Sequence, residues 1–313
     1  MKLWFHKHRK LVTFITVLTV FVGVAYVGAC EYFYRVAFIP SEKSFLSNKQ
    51  TASEKSARAW LKQVPHTIWH EKAVGHSSWQ LNAWYVPAAK KTNKTIVVTH
   101  GYMNTHADMA EYIRTFHDAG YNVLAPDDRG HGSSDGKYVG YGWADRQDYQ
   151  KWIRQVIQQN GTSSQIGLFG VSMGGATVMY LAGMKLPSQV KAVIEDCGYT
   201  SVDGELSFQA KSMYNLPRWP LVPGVLAIAK LHTGTDYAQA DAVAGLKHNH
   251  LPTLFIHGAK DTFVPTSMGK QSYAASAGTK SLWIVPGATH ANSIHKQPTE
   301  YRKRVVSFFN KHL

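Results

Sequence analysis

Cysteine is nearly absent: Cys30 and Cys197 are the only two in 313 residues. That excludes a disulfide framework and a cysteine-built zinc cage. No segment repeats at a period of about 20–50 residues, which excludes solenoids and propellers. There is no H-E-x-x-H, no phosphate-loop lysine, and no dinucleotide glycine pattern set between a strand and a helix. Acids are missing from the first 30 positions, where Lys2, Lys7, Arg9 and Lys10 already stand. The net charge is +14, and residues 31–313 still hold 30 Lys and Arg against 20 Asp and Glu. No nucleic-acid module accompanies that charge, so nucleic acid is not an expected partner. The cations read as solvated surface, suited to anionic lipid or cell wall. What the chain does have is core-forming material: 44% hydrophobic and 12% aromatic residues argue against wholesale disorder.

Charge is also missing from residues 11–29, LVTFITVLTVFVGVAYVGA. At about 1.5 Å per residue these 19 positions span roughly 28 Å as a helix, close to the hydrocarbon thickness of a bilayer. The basic residues precede the run, so the N-terminus is expected in the cytoplasm and the rest of the chain outside it. Three fates compete. The length of the run favours an uncleaved signal anchor. Val27-Gly28-Ala29-Cys30 resembles a bacterial lipobox with Cys30 as the lipidated residue, and Val27-x-Ala29 also suits ordinary signal cleavage. The expected organisation is an anchor at 1–30, a connector at 31–62 (a stalk, or a short helix over 52–61 packing on the domain), and the main domain at 63–313. The membrane is thus an expected partner through the N-terminal segment.

Beyond the connector, strands and helices alternate. Short apolar or β-branched runs at 67–70, 79–86, 95–99, 121–125, 165–169, 190–195, 253–257 and 281–285 read as strands. Helical spacing marks 106–119, 143–159, 172–184 and 299–312. The pattern predicts an α/β fold: a mainly parallel central sheet with helices on both faces. About 50 residues separate the strands at Val190 and Thr253, too many for a loop. This stretch holds Phe208, Met213, Trp219, Leu226 and several prolines, and reads as a small helical cap over the sheet's carboxyl edge, about 200–250.

The chemistry is expected at strand ends. Gly170-Val171-Ser172-Met173-Gly174-Gly175 follows an apolar strand and opens a helix, the setting in which G-x-S-x-G presents a nucleophilic serine. Gly132-Ser133-Ser134-Asp135-Gly136 also matches the pattern, but sits in a polar loop. A serine needs a base, and the base a carboxylate. In the order Ser…Asp…His, the loops after the last two strands offer Asp261 and His290. Asp196 and His295 are the rivals. Oxyanion donors are expected from the backbone N–H of Met173 and from the loop His100-Gly101-Tyr102-Met103, with Tyr102 favoured and Met103 as the alternative. The Tyr102 side chain would also line the acyl pocket.

Together His100–Tyr102, Asp128–Ser134, Gly170–Gly175, Gly258–Pro265 and Gly287–His290 resemble an α/β-hydrolase of the serine aminopeptidase-like, cap-bearing kind, similar to bacterial membrane-anchored hydrolases. The resemblance implies that Asp128–Ser134 is a structural loop near the site. The expectation is a serine hydrolase cleaving carboxylic esters of small molecules without a metal or organic cofactor. The alternatives are a peptidase or amidase acting on short peptides and, from another class, a non-catalytic binding protein at the membrane.

Overall fold

The apolar runs pair as one eight-stranded sheet in a computed structural model that describes residues 8–41 and 50–313. Lys2, Lys7 and most of the Ser/Lys-rich stretch expected as a stalk lie outside the described residues. The strands are β1 (Thr67–Ala73), β2 (His76–Val86), β3 (Lys94–Thr99), β4 (Asn122–Pro126), β5 (Gln165–Val171), β6 (Val190–Asp196), β7 (Thr253–Gly258) and β8 (Lys280–Val285). Their order is β1-β2-β4-β3-β5-β6-β7-β8. β3 to β8 run parallel, and β2 pairs antiparallel with both β1 and β4. β3, β4, β5 and β7 are almost wholly buried, as strands covered on both faces must be.

The helices form two apolar layers. On one face lie α1 (Arg9–Phe38), α4 (Arg146–Asn160) and α5 (Met173–Ala182). On the other lie α2 (Ala52–Gln63), α3 (Ala110–Asp118) and α11 (Pro298–His312). The cap between β6 and β7 consists of α6 (Val202–Tyr214), α7 (Leu221–Thr233), a 3₁₀ turn (Tyr237–Gln239) and α8 (Ala242–Leu246). The segment between β7 and β8, left without a helix by the sequence pattern, carries α9 (Thr266–Ala275); a short α10 (Ser293–Lys296) precedes α11.

The boundary expected at residue 30 is not a break in the structure. α1 continues unbroken to Phe38, and Cys30, Tyr34 and Phe38 are buried. The reason is a stripe at helical spacing that outlasts the uncharged run. Phe38 packs on Tyr141 and Tyr237, at centroid distances of 4.8 and 4.9 Å. Tyr102 and Tyr141 hydroxyls both donate to the Ala37 carbonyl, at 2.8 and 3.1 Å, and fix the last turn. α2 packs on the domain through Ala57 and Leu61, after a capping box made by Thr51 and Glu54. α1 is the one described helix long and apolar enough to cross a membrane, and none of its most apolar window is buried. That suits an anchor or a signal sequence.

Candidate active site

β5 delivers Val171 and turns at once into α5, with Ser172 at the turn. The turn holds Ser172 at φ +58° and ψ −116°, a conformation that costs a residue with a Cβ about 1–3 kcal/mol. Only glycine fits on either side. A Cβ on Gly170 would lie 2.1 Å from the Gly174 carbonyl oxygen, and one on Gly174 2.2 Å from that of Thr99. The Ser172 N–H donates to the Asp196 carbonyl at 2.8 Å, tying the turn to β6.

The loops after β7 and β8 meet this serine. His290 Nε2 lies 2.8 Å from Ser172 Oγ, and His290 Nδ1 lies 2.8 Å from Asp261 Oδ2. Asp261 Oδ1 accepts from the N–H groups of Phe263 and Val264, both at 2.9 Å. Burial pushes this carboxyl up, but hydrogen bonds from His257 and His290 outweigh it and bring its pKa down to about 2. It is therefore an anion at any working pH, and an Nδ1–H donated to it leaves Nε2 as the acceptor facing the hydroxyl. Such a line of groups can take the serine proton as Oγ attacks a carbonyl carbon, and return it to a leaving group.

The loop after β3 is held by two histidines. His100 Nε2 accepts from the Asp128 N–H at 2.9 Å, and its Nδ1 donates to the Gly101 carbonyl at 2.8 Å. His131 Nε2 accepts from the Met103 N–H at 3.2 Å, and its Nδ1 donates to the Arg129 carbonyl at 2.9 Å. Burial, with the His100 ring adding to it, drives the His131 pKa down to about 3, so the ring stays neutral and able to accept. The Met103 N–H is thus engaged, whereas among the described residues that of Tyr102 meets no acceptor.

An apolar pocket of about 840 Å³, mouth included, opens at Ser172, which is itself only 8% exposed. The cap supplies Leu206, Met213 and Val225, the loop before α9 supplies Phe263, and Tyr102 lines the wall. Cys197, Asp261 and His290 could together offer ligands to a metal ion, as could Glu54, Glu111 and His295. In the first group Asp261 and His290 are already engaged with each other and with Ser172.

A family model described as "Serine aminopeptidase, S33" matches residues 90–222. The uncharacterized protein YqkD of Bacillus subtilis is 32% identical over 226 residues, covering 72% of this chain and 74% of that protein. The lysophosphatidylserine lipase ABHD12 of Danio rerio is 23% identical over 232 residues, 70% of this chain and 55% of that one. The esterase Pf2001 of Pyrococcus furiosus superposes with a TM-score of 0.65 at 21% identity, over 85% of this chain and 98% of that one. The chain belongs to the α/β-hydrolases.

In this hydrolase the rival residues have other partners. Ser134 Oγ donates to the Asp127 carbonyl at 2.7 Å and accepts from the Asn82 N–H, so the second G-x-S-x-G holds a loop together. Asp196 accepts from the Tyr301 hydroxyl at 2.7 Å, and His295 meets Glu111 at 2.5 Å. Arg129, inside the loop carried over as structural, pairs bidentately with buried Asp148.

Three features of the site were not anticipated. His257 Nε2 lies 3.4 Å from Asp261 Oδ2, behind the acid. Glu205 of α6 lines the pocket; burial pushes its carboxyl up to about 8, and its Oε2 has no hydrogen-bond partner among the described residues. Phe33, Val36 and Ala37 of α1 form one pocket wall. The i, i+3, i+4 spacing of these last three was the available signal.

Proposed function

We propose that this hydrolase is a membrane-attached serine esterase. The observation that carries the reading is the hydrogen-bonded line Ser172–His290–Asp261 at the floor of an apolar pocket. Ser172 Oγ attacks the ester carbonyl carbon while His290 Nε2 takes its proton. The N–H groups of Tyr102 and Met173 receive the developing oxyanion. Collapse breaks the bond to the alcohol, which leaves with the proton from His290. Water, activated by the same nitrogen, then cleaves the acyl-enzyme and frees the acid and the serine.

The almost wholly apolar lining supports acyl or aromatic esters, and the esterase and lipase among the similar proteins support the same reaction class. Cys30 lies inside a continuous helix with its side chain buried, which supports an uncleaved anchor over lipidation at that residue. The catalytic domain is then extracytoplasmic. A peptidase or amidase is the second reading, favoured by the name of the matched family model.

The test is fluorophosphonate labelling of wild type and Ser172→Ala, with nitrophenyl esters and aminoacyl-nitroanilides as substrates. Label on Ser172 with ester turnover is expected. Anilide turnover alone would move the assignment to a peptidase, and full activity in Ser172→Ala would overturn it.

A further inference from the structure

The helix that would cross the membrane is the same helix that walls the active-site pocket. The uncharged run ends at Ala29, and Phe33, Val36 and Ala37 follow on the same unbroken helix. At about 1.5 Å per residue they stand roughly 6–12 Å beyond the end of the run. The headgroup region adds about 5–8 Å to each side of the hydrocarbon core. The pocket wall therefore begins within the headgroup layer of any bilayer that holds the run.

The cap is fastened lower on the same helix, at the end of the uncharged run. Tyr26, still inside the uncharged run, donates its hydroxyl to the Pro220 carbonyl at 2.9 Å. A Cβ on Gly224 of α7 would lie 2.3 Å from the Tyr26 hydroxyl oxygen and 2.4 Å from Cys30 Sγ, so α1 and α7 touch with no slack. Trp219, beside Pro220, is 73% exposed. An exposed indole level with the hydrocarbon edge is the placement of an interfacial anchor. The pocket mouth lies on this side as well: Met213 and Tyr214 both line the pocket and reach solvent, and the Tyr214 ring meets Phe33 edge-on at 5.1 Å.

We propose that the pocket takes a single-chain acyl ester lipid from the leaflet that holds α1, through the mouth between α1 and the α6–α7 cap. This deepens the serine-esterase reading and rests on it. The enclosed space is far smaller than the 840 Å³ that includes the open mouth, and it suits one acyl chain rather than two. The chain lies against Phe33, Val36 and Met213, with its ester carbonyl at Ser172. One water is consumed, the acyl C–O bond breaks, and a fatty acid and the headgroup alcohol are released.

The experiment uses the full chain reconstituted in phosphatidylcholine vesicles. Turnover of 1-oleoylglycerol carried in the same bilayer is compared with turnover of soluble nitrophenyl butyrate, for wild type and Trp219→Glu. A monoester lipid with a diazirine in its tail is photolysed against Ser172→Ala. The expected result is hydrolysis of both substrates by wild type. Trp219→Glu should lose about tenfold on the lipid, because a charge replaces an interfacial indole, with the soluble ester unchanged. The diazirine should mark peptides containing Val36 or Met213. Soluble-ester turnover without lipid turnover, equal loss on both substrates in Trp219→Glu, an unchanged lipid rate, or label confined to other peptides would overturn the lipid route while leaving the serine-esterase reading standing. Failure of both substrates together with absent fluorophosphonate label would overturn both.

Discussion

Ser172 is strained, and the strain can be separated from the chemistry. At φ +58° its Cβ is the offending atom, so Ser172→Ala keeps the strain and Ser172→Gly removes it. Both variants lose the hydroxyl, so the lost hydrogen bond to His290 cancels between them. Relief of about 1–3 kcal/mol is offset by about 0.4–1 kcal/mol of extra unfolded-state freedom for glycine. The glycine variant is therefore expected to be more stable than the alanine variant by about 1 kcal/mol. For a domain of this size that is roughly 2–4 °C in Tm. The assay is thermal unfolding of both variants in the same detergent, followed by tryptophan fluorescence. Fluorophosphonate labelling should be absent in both. An alanine variant that melts with or above the glycine variant would refute the idea that the turn stores energy at this residue.

Replacing Asp148 by Ala leaves Arg129 buried without its bidentate partner, and should cost about 3–5 kcal/mol in a denaturant titration. His131→Leu removes the acceptor of the Met103 N–H; loosening of the oxyanion loop should lower kcat about tenfold, with Ser172 still labelled. The buried carboxyls of Glu195 and Glu205 should make stability fall as pH rises from about 4.5 to about 8. Burial raises the Glu195 and Glu205 carboxyls to about 8, so they stay protonated in the fold while the unfolded chain, with ordinary carboxyls, has already released those protons. Each contributes a slope of up to about 1.4 kcal/mol per pH unit. Glu195→Gln should flatten part of that slope in urea melts taken across the range, and an equally steep slope in the variant would count against the assignment.

The parts of the site legible in the sequence are those that depend on local geometry. The elbow at Gly170–Gly174 announces itself because steric limits act between neighbours on β5, α5 and β3. Asp261 and His290 could be placed because each follows its strand within a few residues. His257 and Glu205 were not legible: His257 stands four residues before Asp261 but meets it only through the fold of the loop after β7, and Glu205 reaches the pocket from the cap, far along the chain. α9 escaped because Gly269, Lys270 and Gln271 interrupt its apolar positions. The most consequential miss was the end of α1. The stripe Cys30, Phe33, Tyr34, Ala37 is masked by a preceding run that is apolar all round, and periodicity emerges only where that run stops.

If α1 is held in a bilayer, its continuity would change the dimension in which this hydrolase meets a lipid substrate. A domain on a flexible stalk samples a hemisphere above the membrane and draws on the bulk solution. Here the last turn of α1 is clamped by Tyr102, Tyr141 and the Val139 N–H, so the height of Ser172 above a bilayer holding residues 11–29 is fixed by the length of a helix. On the lipid route proposed above, encounter would take place over an area rather than through a volume. Turnover of a lipid would follow its mole fraction in the leaflet and its lateral diffusion, and the enzyme could be starved or fed by membrane composition alone.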